Sequence, residues 1–272
     1  MLMTKDYKIG FIGAGNMATA LIKGLVQSAD FGREQLLASD KDEGALRNIF
    51  DQYGLQCYSS NAQLVAASSA VVLSVKPQII REVLQEVKSS IREDHLIISI
   101  AAGIPLKMIK SVIARDIPLI RVMPNTPALV QEGVSALAGC PRVTHEQMTL
   151  AKQIFGAVGD TVDVEETMMD AVTALSGSGP GYVFKMMECM VDGGVAVGLE
   201  RDTSIRLVVQ TFLGASYLAR ESEDSLSRLR EMVTSPGGTT AAGLAIFDSL
   251  GLGEIVQKAI EAATRRSLEL GK

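Results

Sequence analysis

The run Ile9-Gly10-Phe11-Ile12-Gly13-Ala14-Gly15-Asn16-Met17-Ala18 narrows the possible folds of this chain more than any other stretch. Residues 7–12 form a short, mostly apolar run with the length of a buried strand. Ala18, Leu21, Ile22 and Leu25 then recur at the spacing of one helix face. Between the two lies a turn of the form G-x-G-x-x-A. Gly13 permits the tight turn, Gly15 lets the backbone approach a pyrophosphate, and Ala18 is small enough for a helix to lie close on a strand. The helix N-terminus then faces the phosphate charge. Strand, glycine turn and helix in that order point to a dinucleotide.

Further strands are expected at residues 36–39, 55–58, 70–75, 95–101, 119–123, 134–138 and 161–164. Helical sequence separates many of them, including residues 42–53 and residues 146–157 behind a Thr144–Gln147 capping box. This alternation predicts an α/β domain over residues 1–165, with a doubly wound, mostly parallel sheet of Rossmann type. From Thr167 onward the spacing is helical throughout. Residues 182–199 are polar mainly along Lys185, Glu188 and Asp192, and residues 203–218 are apolar over more than one face. Roughly a hundred residues of such helix cannot cover those faces alone. Residues 166–272 are therefore expected to form an all-helical dimerisation domain, making the protein an obligate homodimer. Glycine in a helix interior costs about 1 kcal/mol, so Gly193-Gly194 marks a close helix contact, with a helix break as the competing expectation.

A net charge of −5 and the lack of a basic run argue against nucleic acid as a partner. Cys57, Cys140 and Cys189 are far apart and form no C-x-x-C pair, which fits reduced thiols and gives no support to a metal site. His95 and His145 are the only histidines, so no chemistry leans on a histidine cluster. No stretch reaches the ~20 consecutive apolar residues of a membrane span. Lys5 and Lys8 ahead of a small-residue segment superficially resemble a secretory leader. The glycines there sit where the nucleotide turn needs them, however, and Lys23 interrupts the apolar run. The expected location is the cytoplasm.

Residues at the end of the second strand meet the adenosine ribose in this kind of fold, and here they give a divided signal. Asp40 suits a free ribose hydroxyl and would repel a 2′-phosphate, whereas Ser39 and Lys41 suit the phosphate. Lys76-Pro77 lies at a carboxyl strand edge, and the small residues Ala101-Ala102-Gly103 suit a flat ring. Met123-Pro124-Asn125-Thr126-Pro127 reads as an extended loop able to cover the site. Two glycine–hydroxyl motifs, residues 176–181 and 235–240, each read as a helix start with free N–H groups. The second, with Thr239 and Thr240, is the better seat for a small carboxylate.

Taken together, these motifs resemble the pyrroline-5-carboxylate reductase family over nearly the whole chain. The resemblance runs from residues 9–18 through Val75-Lys76-Pro77, residues 101–103 and 123–127 to residues 175–180 and 233–240. It implies reduction of pyrroline-5-carboxylate to proline with NADPH or NADH. Beside Gly13 and Gly15, it implies cofactor contacts at Ala14, Asn16, Met17, Ser39 and Asn61, and again at Val75, Lys76 and Pro77. Ala101 and Ala102 would lie near the nicotinamide. Glu166, Thr239 and Thr240 would border the substrate, with the helical half swapped into a dimer that assembles further. Within that site, amides near Gly238 and Thr239 would hold the carboxylate, and the Thr240 hydroxyl would reach the ring nitrogen. The chain departs from the family at residues 224–227 and at Asp40. A 3-hydroxyacid dehydrogenase of the 3-hydroxyisobutyrate type is the nearest rival, since Gly181 and Lys185 match its G-x-x-x-K. A non-enzymatic NAD(P)-sensing protein is the rival from another class.

Overall fold

In the computed structural model, which describes residues 7–28 and 30–271, the glycine-rich run is a strand and a helix joined by a turn; Lys5 lies outside the described residues. Eight strands make one sheet: β1 (Ile9–Ile12), β2 (Leu36–Ser39), β3 (Gln56–Tyr58), β4 (Ala70–Leu73), β5 (Leu96–Ser99), β6 (Leu119–Met123), β7 (Gly133–Gly139) and β8 (Gly159–Asp163). Their order is β3-β2-β1-β4-β5-β6-β7-β8, and every neighbouring pair is parallel except β6–β7. The order reverses direction between β1 and β4. A ligand crevice opens at such a switch point, outside the carboxyl ends of the strands.

Alternating side chains give the sheet two cores. Ile9 and Phe11 of β1, with Val72 and Ile98, pack under helices α1 (Asn16–Ser28), α2 (Glu43–Tyr53) and α6 (His145–Gly156). Ile12, Val71, Leu73 and Ile97 point the other way, against α3 (Asn61–Ala67), α4 (Ile80–Val87) and α5 (Leu106–Ile113). Burial on both faces explains why these strands read as continuous apolar runs. Local caps set the helix ends. The Asp42 carboxylate accepts the Gly44 and Ala45 N–H groups, Gly54 closes α2 at φ 70°, and Thr144 and Gln147 cap α6 reciprocally.

Among the described residues no strand follows β8. The short helix α7 (Met169–Val172) leads into α8 (Gly179–Ala196), α9 (Arg201–Glu221), α10 (Leu226–Met232), α11 (Thr239–Ser249) and α12 (Leu252–Leu270). The chain divides into two compact units, residues 179–262 and the remainder. Within the helical unit α8 is unbroken at Gly193-Gly194, and a Cβ on Gly194 would come 2.8 Å from Ser204 Oγ of α9. The expected close contact is therefore present at Gly194. In a single chain Phe184, Leu207 and Ile246 are each more than half exposed, and no residue of α11 is buried. These are the apolar faces that a second copy would cover. No single helix is long and apolar enough to cross a membrane among the described residues.

Candidate active site

The glycine turn is shaped by contacts that the sequence pattern only implies. Gly13 has φ 100°, its N–H donates to Ser39 O at 2.8 Å, and a Cβ there would come 2.7 Å from the Ser74 carbonyl oxygen. Only glycine fits such a backbone without strain. The Ser74 hydroxyl, 2.8 Å from both Ile12 O and Gly13 O, ties the carboxyl end of β4 to that of β1. A Cβ on Gly15, by contrast, would meet nothing within 4 Å. Its missing side chain leaves space at the start of α1, where first-turn N–H groups have no partner in the helix.

Gly13, Gly15, Asn61, Val75 and Lys76 line one cleft of about 250 Å³, together with Asp40 and Lys41. Five expected cofactor residues thus converge at the switch point from three separate segments. Ala14 and Asn16 line a neighbouring cleft between α1 and α2, and Met17 is partly buried against the core beneath α1. Lys76 is exposed and precedes a 3₁₀ turn (Pro77–Ile79), in which Pro77 needs no N–H partner. Ser39 is fully buried, with its hydroxyl donating to Asn61 Oδ1 at 2.9 Å, and Asn61 Nδ2 donates to Glu86 at 3.0 Å. Asp40 accepts the Ala14 N–H at 2.6 Å.

After β5, Ala101 is buried, Ala102 is exposed and Gly103 turns at φ 74°. Glu166 lies beyond β8 and reaches back, its Oε1 accepting the Leu106 N–H at 2.6 Å where α5 begins. Glu166 and Asp170 also lie 3.9 and 3.8 Å from the guanidinium of Arg121, which is buried in β6. Burial lowers the pKa of Arg121, and the two carboxylates oppose that shift. Arg121 belongs to no motif in the sequence. Its signal was a lone charge inside the apolar five-residue run of β6.

Two loop expectations need correction. Residues 126–130 form a 3₁₀ helix instead of continuing as an extended loop. The motif at 176–181 is not a free helix start: α7 passes through a π-helical turn (Thr173–Gly177) almost directly into α8. Pro180 cannot donate to the Ser176 carbonyl, and the helix widens into the π turn just before it. The motif at 235–240 does open a helix. Gly238 is its extended N-cap, without a side-chain cap, and Thr239 and Thr240 are its first residues. Lys185, the rival proton-transfer group, is exposed on α8 with Nζ 3.2 Å from Glu188, whose hydrogen bond and charge raise the lysine pKa.

Fold and cleft together define a dinucleotide-dependent oxidoreductase, and residues 8–103 match the family described as NADP oxidoreductase, coenzyme F420-dependent. Residues 166–270 match the family described as pyrroline-5-carboxylate reductase dimerisation. The chain belongs to the pyrroline-5-carboxylate reductase family. The reductase of Methanosarcina acetivorans is 40% identical, over 98% of this chain and 99% of its own. That of Pseudomonas aeruginosa is 42% identical over 97% of each. Among solved structures, the Coxiella burnetii reductase superposes with a TM-score of 0.93 at 35% identity, covering 98% of this chain and 99% of that one. The Plasmodium falciparum reductase with NADP bound gives 0.87 at 31% identity, with the same coverage.

Proposed function

We infer that this chain reduces L-1-pyrroline-5-carboxylate to L-proline with NAD(P)H, the last step of proline biosynthesis. The kinship over nearly the full length carries the reading. The cleft agrees with it: the space at Gly15 and the tight turn at Gly13 fit a pyrophosphate on the N-terminus of α1. When bound, the reduced nicotinamide supplies the hydride that the imine carbon accepts.

The protein's share is orientation. Gly15, Asn16 and Met17 present the start of α1 to the pyrophosphate, with Val75, Lys76 and Pro77 along the opposite wall. Ala101 and Ala102 are small enough to leave room for the nicotinamide ring. At the head of α11, amides near Gly238 and Thr239 hold the substrate carboxylate, favoured by the helix dipole. The Thr240 hydroxyl bonds the ring nitrogen and aligns the C=N bond. A cyclic imine takes up a proton on its own nitrogen, so no strong general base is required. Glu166 borders the substrate while fastening the start of α5.

In this reading residues 1–165 hold the nucleotide, and residues 166–272 hold the substrate and the second subunit. The exposed apolar faces of α8, α9 and α11 support a homo-oligomer; the helix-swapped dimer and the cytoplasmic location belong to the same reading through the family resemblance. Turnover of pyrroline-5-carboxylate, followed by loss of nicotinamide absorbance, tests the function. Oxidation of 3-hydroxyisobutyrate with no turnover of any cyclic imine would overturn it in favour of the Lys185 rival.

A further inference from the structure

Resting on the reductase reading above, we propose that Asp40 makes this enzyme prefer NADH over NADPH. Of the three residues that could meet the adenosine ribose, Ser39 is committed and Lys41 is engaged in an exposed ion pair. The Ser39 hydroxyl is fully buried and bonded to Asn61, so it cannot turn outward to a phosphate. Lys41 Nζ lies 2.7 Å from Glu82 Oε1, and any phosphate would have to compete with that carboxylate for it.

Asp40 is held firmly in the cleft that Gly13 and Gly15 line. Its Oδ2 accepts the Ala14 N–H at 2.6 Å, and its Oδ1 accepts the Asp42 N–H at 2.9 Å. Anchored at both oxygens, the carboxylate cannot swing away from an incoming anion. Each oxygen still has a lone pair free for a hydroxyl donor. Glu86, bonded to Asn61, adds another carboxylate nearby. A 2′-phosphate would thus meet Asp40, Glu82 and Glu86 with Lys41 already paired, whereas an unmodified ribose would donate its hydroxyl to Asp40. The same carboxylate braces the glycine turn through Ala14, which couples cofactor choice to the pyrophosphate loop.

Dissociation constants for NADH and NADPH, measured calorimetrically on the purified protein without imine, test this directly. The unaltered protein is expected to bind NADH about tenfold tighter or more, as like charges held close predict. Asp40→Asn keeps an oxygen for the Ala14 N–H and removes the charge, and is expected to shift the ratio of the two constants about tenfold toward NADPH. Glu82→Gln leaves Asp40 in place and frees Lys41, and is expected to tighten NADPH about threefold with little change for NADH. Equal or tighter binding of NADPH by the unaltered protein overturns the proposal, as does an unchanged ratio in a folded Asp40→Asn variant. A protein that prefers NADH but turns over no cyclic imine refutes the function and upholds the cofactor assignment.

Discussion

Asn125 supplies the hydrogen bond that the Ser176 carbonyl is denied within its own helix, with Nδ2 donating to Ser176 O at 3.2 Å. Four residues beyond Ser176 stands Pro180, which has no N–H to give. Asn125 also accepts the Val134 N–H at 3.0 Å, so one side chain fastens the π-helical turn and the start of β7 together. Asn125→Ala removes a hydrogen bond from both groups and is expected to lower stability by about 1–3 kcal/mol. Pro180→Ala in that background should recover part of the loss, because it restores the missing donor. Urea unfolding of the two single variants and the double variant checks this.

Gly13 and Gly15 occupy one turn, yet their substitutions should separate stability from binding. Gly13→Ala forces a side chain onto φ 100° and against the Ser74 carbonyl, and is expected to cost about 2–4 kcal/mol. Gly15→Ala meets open space, so stability should stay within about 1 kcal/mol. NADH affinity of that variant should fall more than about tenfold, because the methyl group occupies the backbone's approach to the pyrophosphate. Thermal unfolding and nucleotide titration, run in parallel, distinguish the two effects.

Arg121 neutralises Glu166 and Asp170 from within the sheet. Arg121→Met keeps much of its length and removes its charge, leaving two partly buried carboxylates without a cation. The expected loss is about 2–4 kcal/mol, reduced from the fully buried case because Glu166 is partly exposed. Denaturant midpoints decide it, and a variant as stable as the parent would remove the cluster from the account of the fold.

Thr240→Ala should lower kcat by at least about tenfold while Thr240→Ser retains most of it, because the hydroxyl is proposed to align the reacting C=N bond. Steady-state kinetics with saturating cofactor are the measurement. Unchanged kcat in the alanine variant would take this hydroxyl out of the mechanism.

His95 sets a pH limit on stability. It is fully buried, Nδ1 accepts the Arg92 N–H at 3.0 Å, and Nε2 lies 3.0 Å from Ser68 O, which fits a proton on Nε2 alone. Burial first, then the Arg92 charge, pushes its pKa down from 6.5. The unfolded chain therefore takes up this proton at higher pH than the folded one. The His95 contribution is complete above about pH 6.5 and is lost as the pH falls toward the depressed folded value. Between pH 7.5 and 5.5 (roughly one unit either side of the free value), the parent should lose more urea resistance than His95→Gln.

What the sequence alone determined was local and periodic. The β1–turn–α1 unit, the strands buried on both faces, the Thr144–Gln147 cap and the all-helical second half follow from residue spacing within a few turns of chain. The family resemblance rested on short contiguous motifs of the same kind. The tertiary structure decided whatever depended on residues remote in sequence. Ser39, Asp40 and Lys41 are adjacent, but their hydrogen bonds go to Asn61, Ala14 and Glu82, so the role proposed for Asp40 rests on partners that spacing does not reveal. The motif at 176–181 looks like a helix start because glycine and proline break helices locally, yet Asn125 meets the Ser176 carbonyl and the chain passes through as a π turn. Arg121 is a flaw in an apolar strand until Glu166 and Asp170 are brought beside it. Propensity acts over a few residues, whereas a charge or an orphaned carbonyl acquires its role only from the partner that folding delivers.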